Sequence, residues 1–342
     1  MKPERWRAII THQDKGVGPF LWRNAFWLAS LGYGIGIRYR NRQFDRGRNV
    51  TRVGVPVISV GNLTVGGTGK TPCVELVCRI LTEAGLTTTI LSRGYGNETG
   101  RNDEALLLEE NLPDVPHLQG KNRVELAQTA IEELETEVIV LDDGMQHRKL
   151  HRDCNIVLLD TTDEGMGHLF PRGTLREPLY QLKRASIILL THCDSGHTET
   201  MFQKLAEQYA PGVPVFRSTH QPVELLNGES SESPQLLSGK EVAAFCGIGN
   251  PESFRTTLQH LGCQVVQFRE YPDHYAYQKT DIFSLQEWVK KLPPDMPVIT
   301  TQKDWVKIRL NGISGHPLYA LRVGLEIDNL PEFEEKVLQA AL

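Results

Sequence analysis

Several features are scarce in this 342-residue chain. Long apolar runs are missing. The most apolar N-terminal stretch, Phe20–Ile37, is unbroken only from Ala25 to Ile37, thirteen residues. That is short of the ~20 a spanning helix needs. The six cysteines (Cys73, Cys78, Cys154, Cys193, Cys246, Cys263) form no Cys-x-x-Cys pair, and no secretory signal is recognisable ahead of them. A disulfide framework is therefore excluded, and buried free thiols in a reducing cytoplasm are expected. Internal repeats and low-complexity tracts are absent, and so is an Asn-Lys-x-Asp motif.

The hydrophobic content of 40% supports a sizeable core, and the 23% charged residues are ordinary for a soluble protein. This length holds two domains or one large α/β domain. The net charge of −5 hides an asymmetry: residues 1–50 carry ten Lys/Arg against three acidic residues. A basic head on an acidic body points to an anionic partner for the head. Aromatics (Trp22, Phe26, Trp27, Tyr33) precede the cluster Arg38, Arg40, Arg42. This pattern suits an interfacial helix on anionic lipid. Gly32, Gly34 and Gly36 are expected to weaken that helix. The alternative is an amphipathic helix packed on the protein's own core.

The chain is organised around Pro56–Pro72. Val57, Ile58 and Val60 read as a buried strand, followed by a loop with Gly66, Gly67 and Gly69, then Lys70, Thr71 and Pro72 opening a helix. Strand, glycine loop, Lys-Thr and helix make a phosphate cradle, with loop amides and the helix N-terminus facing an anion. Lys70 can reach β- and γ-phosphates, and the Thr71 hydroxyl can ligate Mg²⁺. The pattern departs from the usual one at Thr64, where glycine is the norm. Downstream, Val138–Leu141 is an apolar strand delivering Asp142 and Asp143, the Walker B arrangement for Mg²⁺. Ser92-Arg93-Gly94-Tyr95-Gly96 ends another strand, where open α/β sheets place ligands. Asp103 and Glu104 stand at a helix start, where capping is the plainer role. Strands alternating with helices argue a mainly parallel sheet covered on both faces. Residues 227–239 read as a polar linker to a second α/β unit containing Pro272-Asp273-His274-Tyr275 and Thr300-Thr301-Gln302-Lys303-Asp304.

Together these motifs resemble the tetraacyldisaccharide 4'-kinase family. The carrying stretches are 60–72, 92–96, Asp103-Glu104, Asp142–Leu150 (Asp-Asp-Gly-Met-Gln-His-Arg-Lys-Leu), Leu175–Leu179 (Leu-Arg-Glu-Pro-Leu), 272–275 and 300–304. The resemblance implies a P-loop NTPase-like fold with a second, smaller α/β domain and an N-terminal amphipathic helix. It implies ATP and Mg²⁺, and phosphorylation of the 4'-hydroxyl of a lipid disaccharide at the cytoplasmic face of a bacterial inner membrane. By position, ATP would lie on Thr64, Val65, Gly66, Gly67, Thr68, Gly69, Lys70 and Thr71. The metal would take Thr71, Asp142 and Asp143. Asp103 would be the base, paired with His274 from the second domain, and Lys70 would act on the phosphates. Arg176 and Glu177 would face the substrate. The expected divisions are 1–50 (membrane-contacting), 51–226 (kinase), 227–239 (linker) and 240–342 (C-terminal α/β). A monomer without nucleic-acid partners is expected. The connection Asn97–Asn102 is shorter than the family's usual tens of residues, and Met145 stands where Phe or Leu is usual.

Overall fold

A computed structural model describes residues 1, 3–94, 103–193, 199–228 and 230–342. In chain order its elements are α1 (Pro3–Ile10), α2 (Val17–Asp45), β1 (Val57–Asn62), α3 (Lys70–Glu83), β2 (Thr88–Ser92), α4 (Asp103–Asn111), β3 (His117–Gln119), α5 (Arg123–Leu134), β4 (Val138–Asp142), β5 (Cys154–Asp160), β6 (Ile187–Thr191), α6 (Glu199–Tyr209) and β7 (Val215–Asn227). Then follow β8 (Ser230–Glu232), β9 (Glu241–Cys246), α7 (Pro251–His260), β10 (Gln264–Glu270), α8 (Lys279–Val289), β11 (Val298–Thr301), α9 (Gln302–Ile308), β12 (Gly312–Ile313), β13 (His316–Ile327) and α10 (Leu330–Ala341).

The chain divides into two compact units. The first holds Met1–Arg93, Asp114–Thr219 and Glu326–Leu342; the second holds Gly94–Pro113 and His220–Leu325. In the first unit the strands run β7-β6-β5-β1-β4-β2-β3, paired in parallel throughout. β1 lies in the interior with all six residues buried, which is why it reads as an unbroken β-branched run rather than an alternating one. Val57, Leu91, Ile139 and Leu141 form a core with α5 residues, and Leu63, Val157, Ile188 and Phe202 belong to another. In the second unit β10, β9, β11 and β13 pair in parallel, while β8 and β12 are antiparallel additions. All six cysteines are buried and free.

Three features depart from the sequence expectations. Residues 227–239 are not a separate linker. β7 runs to Asn227 and turns back into β8, and Leu237 is buried in the second unit's core. The C-terminal residues from Glu326 belong to the first unit, because α10 packs on α3 and Phe333 stands edge-on to Phe216, ring centres 5.4 Å apart. Third, α2 runs unbroken through Gly32, Gly34 and Gly36. A β-carbon at Gly34 would stand 3.1 Å from Leu169 Cδ1, so the missing side chain lets the helix close onto the body. That gain offsets the helix propensity lost at glycine. Only Ser30, Gly34 and Asn41 of α2 are buried, leaving a broad apolar surface uncovered.

Candidate active site

In the first unit the cradle forms where β1 passes into α3. Gly66 and Gly69 take positive φ (120° and 76°), and Gly69 caps α3 in the left-handed conformation. The loop is braced from one side: Val65 N–H donates to Thr174 O at 2.8 Å, and Arg176 N–H donates to Leu63 O at 2.7 Å. Among the described residues, no backbone acceptor takes the N–H groups of Gly66, Gly67, Thr68 or Gly69. The Thr68 hydroxyl is buried without a partner, although its carbonyl accepts from Thr191 Oγ1. Unspent donors at a helix start are what an oxyanion needs. Of the expected ATP contacts, Val65 has its amide already engaged.

Lys70 Nζ lies 3.7 Å from Asp143 Oδ1 and 3.5 Å from Asn62 Oδ1. Arg176 Nη1 donates to both Asp143 oxygens, at 2.8 and 3.1 Å. Burial alone would raise the Asp143 carboxyl, but Lys70 and Arg176 outweigh it and hold it below the usual range. Asp143 adopts φ 51°, a left-handed turn that aspartate tolerates at some cost. The turn is tight because Met145 sits directly on β1: a β-carbon at Gly61 would lie 2.7 Å from Met145 N. Asp142 is the buried end of β4. Among the described residues no group of three or more His, Cys, Asp or Glu side chains forms a metal cage.

Sequence reasoning missed several members of this network. Gln146 donates to Asn62 O at 2.8 Å and accepts from Arg176 at 3.3 Å. Arg123 donates to Asp142 O at 3.4 Å. Arg7 of α1 reaches Gly66, where its Nη2 would be 2.6 Å from an added β-carbon. Gln146 could have been found from its place in the Asp142–Leu150 motif. Arg7, 59 positions before Gly66, has no such signal.

Glu177 is placed differently from expectation. Its side chain is fully enclosed, one oxygen on Arg40 of α2 at 3.1 Å and the other on Arg184. Both acceptor sides are occupied by arginines, so Glu177 holds α2 to the body. Arg176 is the member of the pair that stands at the cradle.

In the second unit Asp103 is the first residue of α4. Leu106 and Leu107 of α4 pack on the core formed by Val298, Trp305 and Leu318, and Asn111 bonds Gln302 of α9 at 2.6 Å. Asp103 and His274 were expected in different domains; they belong to one unit because this packing carries α4 into it. His274 Nδ1 is 3.1 Å from Asp103 Oδ2, and Lys307 Nζ is 2.8 Å from the same oxygen. Burial would raise the Asp103 carboxyl; hydrogen bonds from His274 and Lys307 overcome that and hold it at about 2. His274 itself sits at φ 56°. Its loop is fixed by Asp304, wholly buried, which accepts from Gly247 N–H at 2.9 Å, Tyr277 OH at 3.1 Å and Thr301 Oγ1 at 2.7 Å. The Thr-Thr-Gln-Lys-Asp motif is thus the frame of this corner, and Lys307, four residues after Lys303, is a member the sequence did not mark. Tyr95, Gly96 and the connection Asn97–Asn102 lie outside the described residues.

The chain is similar to known proteins over most of its length. A family model described as tetraacyldisaccharide-1-P 4'-kinase matches residues 22–342. The tetraacyldisaccharide 4'-kinase of Syntrophus aciditrophicus is 38% identical over 343 residues, covering 91% of each chain. That of Anaeromyxobacter sp. (strain K) is 37% identical over 342 residues, covering 92% of this chain and 89% of its own. A solved structure of LpxK from Aquifex aeolicus in complex with ATP superposes with a TM-score of 0.76 at 30% identity, over 94% of this chain and 100% of that one.

Proposed function

Because the chain belongs to the tetraacyldisaccharide-1-P 4'-kinase family, we propose that the Thr64–Thr71 loop holds the phosphates of ATP and that Asp103 accepts the proton of the acceptor hydroxyl. The protein is an ATP-dependent kinase of lipid A biosynthesis that phosphorylates the 4'-hydroxyl of a tetraacylated disaccharide 1-phosphate.

Phosphoryl transfer asks little covalent chemistry of a protein; position and charge do most of it. The first unit supplies both. Open amides from Gly66 to Gly69 would receive the phosphates, and Lys70, beside Asp143 and Asn62, would reach their β- and γ-oxygens. Arg176 keeps Asp143 aimed into the cradle. Thr71, Asp142 and Asp143 would hold Mg²⁺. These are hard oxygen donors, two carboxylates and a hydroxyl, which suits an ion that completes its shell with phosphates and water. When bound, Mg²⁺ neutralises charge on the β- and γ-phosphates.

The second unit serves the acceptor. Asp103 is a weak base by acidity, and that is compatible with a loose transition state in which the hydroxyl proton leaves late. Lys307 keeps Asp103 ionised, and His274 fixes the direction of its free lone pairs. The contact between Asp103 and His274, 171 positions apart, is the observation that carries this assignment.

The membrane reading rests on α2. Phe20, Leu21, Trp22, Trp27, Leu28 and Leu31 are exposed, each about half or more, and Arg38 and Arg42 are exposed at the far end. No helix in the described chain is long and apolar enough to cross a membrane. We propose that the segment rests on an anionic membrane surface, the cytoplasmic face of the inner membrane, where the lipid acceptor is met. The test is ATP turnover with and without purified acceptor lipid in neutral detergent micelles. Turnover should depend on the acceptor; equal hydrolysis in its absence would make the protein an ATPase and defeat the proposal.

A further inference from the structure

Where α1 gives way to α2 in the first unit, a cavity of about 480 Å³ is lined by His12, Arg23, His168 and Arg172 and walled by Phe20 and Trp27. The arginines are anchored on the end of α1. Arg172 Nη1 donates to Ile10 O at 3.3 Å; Arg23 Nη1 donates to Asp14 O at 3.2 Å and lies 3.5 Å from Ile9 O. Terminal carbonyls lack helical partners and carry the negative end of the dipole, so capping α1 is one role for this pair. It occupies Nη1 of each guanidinium, and Arg172 Nη2 lies 3.4 Å from His12 Nε2, so the donors left over are mainly those of Arg23. Among the described residues, neither arginine has a carboxylate within ion-pair distance. The groups also disfavour one another: burial and the Arg23 charge lower Arg172, and burial, Arg172 and His12 lower His168. Two neighbouring arginines with guanidinium donors to spare are completed by an oxyanion.

The surroundings restrict which anion. The volume falls in the range of small-ligand pockets. Two of its walls are aromatic, and the neighbouring α2 residues Leu21 and Leu28 are exposed. A water-soluble anion would leave that apolar surface wet, whereas an anion carrying acyl chains covers it. We infer that this cavity binds the phosphodiester headgroup of an anionic glycerophospholipid while α2 lies on the bilayer. The inference rests on the membrane contact proposed above and adds a defined lipid site to it.

The test compares full-length wild type, Arg23→Gln/Arg172→Gln and the charge-matched Arg38→Gln/Arg42→Gln in flotation with vesicles. The vesicles are phosphatidylcholine alone or phosphatidylcholine mixed with phosphatidylglycerol. Diffuse attraction costs ~5-fold in partition per lost charge wherever it lies. A built site adds a further ~10-fold for the cavity pair alone, the scale of a lost charge-assisted hydrogen bond. Arg23→Lys/Arg172→Lys keeps the charge and loses the fork; it should retain ATP binding yet fall below wild type on phosphatidylglycerol, and it serves if the glutamine pair does not fold. Equal losses for cavity and control pairs, or a lysine pair matching wild type, would overturn the site while leaving the membrane contact standing. Wild type that ignores phosphatidylglycerol would sink both. A raised KM for the acceptor in neutral micelles, with vesicle binding intact, would give the cavity to the acceptor's own phosphate and overturn the inference.

Discussion

Replacing Asp103 by asparagine keeps the shape of the side chain and removes its charge, and two consequences can be worked from the structure. The first is catalytic. If Asp103 takes the hydroxyl proton while His274 orients it, Asp103→Asn and His274→Ala should each lower kcat by ~10²–10⁴-fold. The double variant should be little worse than the poorer single one, because residues acting as a unit are not additive. The second is stability. The carboxyl is lowered from an ordinary 3.8 to about 2, so folding favours the ionised form. At about 1.4 kcal/mol per pH unit this contributes up to about 2 kcal/mol. The contribution is complete above the unfolded value and is lost as pH falls through the folded one, between about pH 4 and pH 2. Asp103→Asn should therefore flatten the acid limb of urea stability in that window. It also leaves Lys307, 9% exposed, without its carboxylate. His274 is half exposed, and its loss should cost less stability. The assays are initial rates at saturating ATP and lipid, and urea midpoints against pH. Losses in kcat that multiply, or an Asp103→Asn enzyme turning over like wild type, would refute the dyad. In the latter case Glu104 is the next carboxylate to test.

The other expectations concern the first unit. Lys70→Ala should cut kcat by ~10²-fold or more at saturating ATP, as removal of a preorganised charge does; near-normal turnover would show that the loop is not the cradle. Asp142→Ala and Asp143→Ala should each raise the Mg²⁺ concentration needed for half-maximal rate or abolish turnover, and unchanged Mg²⁺ titrations in both would remove them as ligands. Glu177→Ala leaves the buried Arg184 without its carboxylate and releases the more exposed Arg40, and breaking a buried pair such as Glu177–Arg184 costs ~3–5 kcal/mol. Its melting temperature should fall while KM for ATP in the surviving folded enzyme stays near wild type; a stable variant with raised acceptor KM would return Glu177 to the substrate side.

The cradle was legible in sequence because it is local. β1, its glycine loop and Lys70-Thr71 are contiguous, and the alternation of apolar strands with helices announced a parallel sheet. The position of Asp142 and Asp143 at the end of β4 was legible for the same reason, as the end of an apolar run. What could not be read is what depends on distant packing. Whether Asp103 belongs with the first or second unit is decided by Leu106 and Leu107 finding a core some 200 positions away. Glu177 sits in a motif beside Arg176, and only the arrival of Arg40 and Arg184 shows the two neighbours facing different partners. The glycines of α2 looked like helix breakers; Gly34 is a packing surface for Leu169, and that meaning exists only once both segments are in place.

The most direct measurement follows a label from the γ-phosphate of ATP into the purified disaccharide 1-phosphate lipid, with the position of the new phosphate read by mass spectrometry or phosphorus NMR. The account predicts one label per acceptor, at the 4'-oxygen, with transfer falling by ~10²-fold or more in both Lys70→Ala and Asp103→Asn. Label released only as inorganic phosphate, or carried to another position of the sugar, would contradict it.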